Sequence, residues 1–438
     1  MSDPQTDLPY TLHLGDCIEV MRAMPDASVD AIVTDPPYHL TTGKKGGSGE
    51  ASVNLDTPYG RARIGTGFMG MKWDGGEIAF SVELWAEALR ILKPGGHLLA
   101  FSGSRTYHRM ACAIEDAGFE IRDQLMWVYG SGMPKSRNVA KYDLQGDDAA
   151  RWEGWGTALK PSHEPVVMAR KALVGTVSAN LLAYGTGALN IDACRIGVTD
   201  HDYARNCSGD RGHAGTRSAD DTGATSMRPG GSAAQGRWPA NLIHDGSAEV
   251  IALFPANAGA AAPVHTRKAD KFRNSYGAFA GNVDEAGSTF QGDSGSAARF
   301  FYCPKATRTD RNEGCEDLDK KPLLWSSGTQ NPGSFQAEGT DKSSQNFHPT
   351  VKPTDLMAYL VRLVTPPGGT VYDPFTGSGS TGKACMREGF AFIGSELSPE
   401  YIGIAQRRIA HEHARVLEVA RQAPPEVPQL DLFKEAQA

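Results

Sequence analysis

The stretch "DPFTGSGSTGKAC" at residues 373–385 decides how this chain folds. Before it, "TVYDPF" reads as a short buried strand. After it, "STGKACMREGF" reads as a helix. Strand, glycine loop and helix in that order make a site for a phosphate or a nucleoside. A P-loop needs G-x-x-x-x-G-K-[ST]. Gly377, Gly382 and Lys383 fit, and Ala384 does not. The missing hydroxyl is the one that holds magnesium, so a magnesium–triphosphate site would be disabled. The other reading is a turn whose glycines, lacking Cβ, let a nucleoside cofactor approach the backbone. Such a turn expects an acidic residue near the end of the next strand, about 20 residues on, to accept from ribose hydroxyls. Glu396, in "AFIGSEL", stands nineteen residues after Gly377.

Dinucleotide enzymes and methyltransferases share this logic, so a second motif has to decide. At 34–38 stands "TDPPY", directly after the apolar, β-branched run "VDAIV". Two prolines fix the backbone and remove two amide donors, which lets the oxygens of Asp35 and Pro36 converge on one point. Tyr38 adds a flat face. Two acceptors and a ring suit the planar amino group of a nucleobase. The bland alternative is a surface turn, and Asp-Pro-Pro-Tyr after a buried strand is unusual turn chemistry.

The rest of the chain frames these motifs. Its 438 residues allow two or three domains. The opening "MSDPQTDLPY" has no secretory pattern and no apolar run is long enough for a bilayer. The seven cysteines form no C-x-x-C pair, so neither a zinc site nor a disulfide framework is indicated, and a reduced, cytoplasmic protein is expected. A net charge of −7 argues against indiscriminate coating of DNA, though it allows a basic cleft. Strand and helix patterns alternate at both ends, as in "YTLHLGD", "SVELWAEALRILKPGG", "EIRDQLMWVYG", "HEPVVMARK" and "TDLMAYLVRLVTPPGG". That alternation implies a mainly parallel sheet covered on both faces. From about 175 to 345, Gly, Ser, Asn and Asp dominate around apolar islands such as "PANLIHD" and "ARFFYCPK". This region reads either as linker or as a loop-rich recognition region, and its aromatic islands favour order.

"DPPY" together with "DPFTGSGSTG" resembles the amino-methylating DNA methyltransferases, which modify N6 of adenine or N4 of cytosine with S-adenosylmethionine. The catalytic motif precedes the cofactor loop by more than three hundred residues, which resembles the permuted order of the family's β group. "NFHPTVKPTDLMAYL" and "GDCIEVM" resemble flanking family segments, and "FMGMKWD", "GSGMPKS" and "HEPVVMARK" resemble a bacterial and phage subgroup. The resemblance implies a Rossmann-like α/β sheet, mostly parallel with one antiparallel strand and circularly permuted. It also implies a catalytic half at 1–172, a target-recognition insertion at 173–345, a cofactor half at 346–415 and a flexible tail at 416–438. Asp35, Pro36, Pro37 and Tyr38 would hold a flipped base of double-stranded DNA. Asp373, Phe375, Gly377, Ser378 and Gly379 would line S-adenosylmethionine. Glu396 would take the ribose, with Asp16 and Cys17 near the adenine. His348, Thr350 and Lys352 would help at the methionine end, and no metal is expected.

Asp in the first motif position goes mostly with adenine in this family, so N6-adenine is favoured and N4-cytosine is the alternative. Cytosine-C5 chemistry needs an activated cysteine following proline, and Cys303-Pro304 has the opposite order. Enzymes that methylate RNA bases or protein glutamine commonly carry Asn first. A catalytically inactive DNA-binding protein on the same fold is the reading from another class. The basic, Gly-rich stretch 39–67 reads as a surface insertion or as a loop that orders over DNA. In the tail, "QLDLF" (Gln429, Leu430, Asp431, Leu432, Phe433) resembles the peptide that docks bacterial DNA-processing proteins onto the sliding clamp.

Overall fold

The computed structural model describes residues 8–38, 77–130, 132, 136, 138–142, 144–197, 236–258, 273–274, 277–278, 295–304, 308–322 and 343–422. The loop at 39–67, "FMGMKWD", most of "GSGMPKS" and the tail motif at 429–433 lie outside the described residues.

Eight strands form one sheet: β1 (Tyr10–Leu14), β2 (Val29–Thr34), β3 (Leu92–Phe101), β4 (Glu120–Val128), β5 (His163–Arg170), β6 (Leu242–His244), β7 (Thr370–Asp373) and β8 (Ala391–Glu396). Their order across the sheet is β1-β8-β7-β2-β3-β5-β4-β6. All neighbours run parallel except β5, which is antiparallel to both β3 and β4. The sheet is thus mostly parallel with one antiparallel strand, as expected. β7 and β8, from the C-terminal half of the chain, sit between β1 and β2 from the N-terminal half. The two sequence motifs therefore share one sheet.

Strand side chains alternate between two cores, as a period of two requires. Val33, Leu99, Phe101, Val166 and Met168 enter one; Ile32, Leu98, Ala100, Val167 and Ala169 enter the other. A sheet buried on both faces explains why its strands read as near-continuous apolar runs. Helices α1 (Cys17–Ala23), α2 (Val82–Ile91) and α3 (Tyr107–Asp116) cover the second core with Met21, Trp85 and Met110. Further along come α4 (Val177–Tyr184), α5 (Arg308–Asn312), α6 (Thr354–Val364), α7 (Ser380–Glu388) and α8 (Pro399–Gln422). Of these, α6, α7 and α8 close the first core with Leu356, Leu360, Cys385 and Ile409. The α2 pattern extends in sequence to Pro94-Gly95-Gly96, but the helix ends at Ile91. Gly95 instead takes φ 78° and its N–H donates to Lys171 O at 3.1 Å, which starts β3 early.

The described pieces of the central region pack onto this sheet. β6 pairs with β4. Tyr302 stacks on Tyr359 of α6 with ring centroids 4.0 Å apart. The Asn180 amide in α4 donates to Pro94 O and Thr186 O at 2.9 and 2.7 Å. The apolar islands thus order as extensions of the core. No described helix is long and apolar enough to cross a membrane.

Candidate active site

In a parallel sheet the carboxyl ends of the strands share one edge, and loops leaving that edge build the site. Asp16 follows β1, Asp35 follows β2, Asp373 ends β7 and Glu396 ends β8. Because β5 runs the other way, its first residues reach the same edge, and Glu164 lies there.

Gly377 and Gly379 in the glycine loop have φ of 53° and 78°, a region that side chains rarely adopt. A Cβ on Gly377 would stand 2.9 Å from His348 Nε2, and one on Gly379 would stand 2.9 Å from the Ala405 Cα. Glu396 Oε2 accepts the Gly377 N–H at 2.9 Å, and Oε1 accepts the Ser398 N–H at 2.8 Å. The acidic residue therefore shapes the loop as well as facing it. Burial holds the Glu396 carboxyl above its ordinary value. Asp373 is buried and accepts from Thr34 Oγ1 (2.6 Å), Phe375 N (3.0 Å) and Thr381 Oγ1 (2.6 Å). Desolvation raises its pKa to about 6. Ser378 is buried, and Arg408 Nη1 donates to its carbonyl at 2.6 Å, bracing the loop from beneath.

Lys383 confirms that this is no P-loop. Its side chain is fully buried on the far side, donating to Asp310 Oδ1 at 2.7 Å and Glu313 Oε2 at 2.6 Å. The ammonium a triphosphate would need is already neutralised.

At the second motif the carboxylate is enclosed. Tyr38 Oη donates to Asp35 Oδ1 at 2.7 Å and lies 3.0 Å from Glu164 Oε2. Lys352 Nζ donates to Asp35 Oδ2 at 2.6 Å and lies 3.2 Å from Glu164 Oε2. Burial disfavours the Lys352 charge, but Asp35 and Glu164 outweigh it and raise its pKa, so the ammonium persists. Burial and the same two carboxylates push the Tyr38 hydroxyl well above its ordinary value. Pro36 is buried, Pro37 is half-buried, and Thr106 Oγ1 donates to Tyr38 O at 2.9 Å.

The remaining sequence candidates fall around these two groups. Asp16 caps α1, accepting from Ile18 N and Glu19 N at 2.9 and 3.2 Å. The Gly15 N–H donates to Glu396 O at 3.0 Å, which keeps Asp16 beside Glu396. Cys17 is buried, and burial pushes its thiol up to about 12, so it is unreactive. Phe375 is half-buried against the α1–α3 core. His348 Nδ1 bonds Thr350 O at 2.8 Å, and its ring lies over Gly377 and edge-on to Tyr401 at 4.5 Å. Burial lowers the His348 pKa to about 4, so it is neutral near pH 7. Thr350 is exposed, and Lys352 reaches Asp35 across the motif boundary.

Three groups went unread in the sequence: Glu164, Asp310 and Arg408. An acid at the mouth of the apolar strand "HEPVVMARK" is the one signal that pointed to Glu164. Asp310 lies in the Gly-rich central region, yet it joins Lys383, Thr354 N (2.8 Å) and Thr354 Oγ1 (2.5 Å).

Strand-end carboxylates around a glycine loop, with a second acid beside two prolines, thus gather at the carboxyl edge of a Rossmann-like sheet. The chain belongs to the DNA methylase family of the N6/N4 type, whose profile matches residues 29–407. Over 198 residues it is 27% identical to the Type II methyltransferase M.HindIII of Haemophilus influenzae, covering 41% of this chain and 64% of that protein. Over 122 residues it is 30% identical to the Type II methyltransferase M.Cfr9I of Citrobacter freundii, covering 28% and 36%. The matched segments thus span less than two thirds of these relatives. Among solved structures, an M1.HpyAVI–SAM complex aligns over 91% of this chain and 99% of its own, at 14% identity and TM-score 0.36. The cytosine-N4-specific PvuII DNA methyltransferase aligns over 94% and 95%, at 14% identity and TM-score 0.41.

Proposed function

We propose that this chain transfers a methyl group from S-adenosylmethionine to the exocyclic N6 of adenine in double-stranded DNA, with the target base flipped out of the helix. The observation that carries the reading is the enclosed Asp35 carboxylate, set by the sheet at the same edge as the glycine loop and Glu396. The residues present suit the cofactor. The loop glycines leave room for a ligand against the backbone, Glu396 offers a ribose acceptor, and exposed Leu14 and Leu397 flank it with apolar surface for a purine. S-adenosylmethionine, when bound, supplies an electrophilic methyl, so the amino lone pair can form the new C–N bond as the C–S pair returns to sulfur and one amino proton is lost.

The protein's share is positioning and electrostatics. The amino lone pair is delocalised into the ring, which makes it a poor nucleophile. Acceptors at Asp35 and the Pro36 carbonyl favour a tetrahedral nitrogen and stabilise the charge that develops on it. Tyr38 supplies a face on which the extruded base stacks, offsetting part of an unstacking cost of about a few kcal/mol. Asp35 in the first motif position supports adenine. Base-modification sequencing of DNA from cells expressing the wild type and Asp35→Ala tests the reading. N6-methyladenine at one sequence with the wild type alone supports it. N4-methylcytosine transfers the proposal to the alternative base, and no modified base with either chain removes it. We also propose that the tail motif Gln429–Phe433 docks on a sliding clamp.

A further inference from the structure

The enclosure of Asp35 raises a question of charge. Its Oδ1 receives Tyr38 Oη at 2.7 Å and its Oδ2 receives Lys352 Nζ at 2.6 Å. The target amino group needs one of these oxygens and becomes positively charged as it is methylated. A lysine ammonium on the same carboxylate opposes that charge. With Asp35 alone, the pair Asp35–Lys352 would be neutral.

Glu164 changes the balance. Its Oε2 lies 3.2 Å from Lys352 Nζ and 3.0 Å from Tyr38 Oη, so it shares both donors with Asp35. Its Oε1 lies 3.5 Å from Tyr129 Oη. Two carboxylates against one ammonium leave one net negative charge. Lys352 and Glu164 are only 7% and 18% exposed, so water screens this little. Glu164 also gives Lys352 and the Tyr38 hydroxyl a second acceptor when the amino group takes its place on Asp35.

We propose that Glu164 is a positioning residue of the transfer step: it holds Lys352 and Tyr38 when the amino group takes their place on Asp35, and it leaves the site with the negative charge that the methylated nitrogen requires. This role rests on the methyl-transfer reading of Asp35. It is separate from cofactor binding, because Glu164 lies against Lys352, Tyr38 and Tyr129 and not against the glycine loop.

The test uses the full chain, duplex DNA carrying the site found by sequencing, and S-adenosylmethionine. Single-turnover methylation and calorimetric cofactor affinity are measured for wild type, Glu164→Gln, Glu164→Asp and the double variant Glu164→Gln/Lys352→Met. Glu164→Gln should slow transfer by about tenfold or more while cofactor affinity stays within about twofold. Glu164→Asp should keep more of the rate, because it keeps the charge. The double variant, which restores one net negative charge, should be faster than Glu164→Gln alone. A strut that merely anchors Lys352 predicts the opposite, since removing both partners would not revive the rate. Wild-type speed in Glu164→Gln, a double variant no faster than the single one, or lost cofactor binding in Glu164→Gln each overturns the proposal. A wild-type chain that methylates no DNA removes the parent reading and this one together, whereas an active wild type with an active Glu164→Gln removes this one only.

Discussion

Lys383 Nζ donates to Asp310 Oδ1 at 2.7 Å, tying the helix behind the glycine loop to a segment 73 residues earlier. Lys383 is fully buried, and Arg408, equally buried, donates to Asp310 O at 3.1 Å. Removing one partner of a buried pair strands the other charge. Asp310→Ala leaves Lys383 on Glu313 alone and removes the acceptor of Thr354, and should cost about 3 kcal/mol in urea unfolding. The triple variant Asp310→Leu/Glu313→Gln/Lys383→Met should cost much less, since none of the three charges is left alone. Equal losses would show that packing, not the stranded ammonium, sets the cost.

The same ion pair decides ligand choice. A lysine already shared between Asp310 and Glu313 cannot reach a phosphate without leaving both. Calorimetry should detect no binding of magnesium-ATP at concentrations where S-adenosylmethionine saturates. Competition between the two ligands would contradict the orientation of Lys383.

The sequence carried the parts of this fold that are local. The period-two strands, the glycine loop and the Asp-Pro-Pro-Tyr turn each depend on neighbours in the chain, so they could be read directly. The antiparallel sense of β5 follows from its pairing with β3 and β4, and that sense puts Glu164 at the edge where it shares Tyr38 and Lys352 with Asp35. Lys352 read as a cofactor residue from the resemblance of its segment to the family's, and nothing in that segment pointed to its bond with Asp35, 317 residues away. Asp310 was hidden for the opposite reason. Its surroundings are compositionally loop-like, and its partners Thr354, Lys383 and Arg408 come from α6, α7 and α8.

Gly379 offers a sharp test of the loop. It combines φ of 78° with a would-be Cβ 2.9 Å from the Ala405 backbone, where no flexible side chain can yield. Gly379→Ala should cost about 1–3 kcal/mol in strain and displacement. Because the loop must shift to fit the methyl, cofactor affinity measured by calorimetry should fall by about tenfold or more, from roughly 1.4 kcal/mol of lost binding. Gly389→Ala is the control. It also has positive φ (76°), but no atom lies within 4 Å of its Cβ position, so it should lose some stability and no affinity.

Acid sensitivity can be assigned to a residue outside the site. His97, in β3, is buried, and desolvation followed by Arg170 and Arg122 lowers its pKa to about 4 from the ordinary 6.5. The unfolded chain therefore binds a proton that the folded chain refuses between pH 6.5 and 4. Stability from this residue is intact above pH 6.5 and lost as pH falls to about 4, by at most about 3 kcal/mol. His348 acts in the same direction, while Asp373, raised to about 6, protonates first in the folded chain and opposes both. His97→Leu isolates one share. Urea midpoints between pH 7 and 4.5 should fall less steeply in the variant than in wild type, and parallel curves would contradict the assignment.

The tail makes the last prediction. Leu432 and Phe433 would fill an apolar pocket on a clamp while Gln429 hydrogen-bonds at its rim, and the proline-rich lead-in "APPEVP" would hold the peptide extended. Binding energy in such a peptide is concentrated in its large apolar anchors. Immobilised full-length chain should retain purified sliding clamp, and Leu432→Ala/Phe433→Ala should abolish retention. Methylation of short duplex DNA should be unchanged in that variant. Equal retention of the clamp by both chains would end the docking proposal and leave the methyl-transfer reading as it stands.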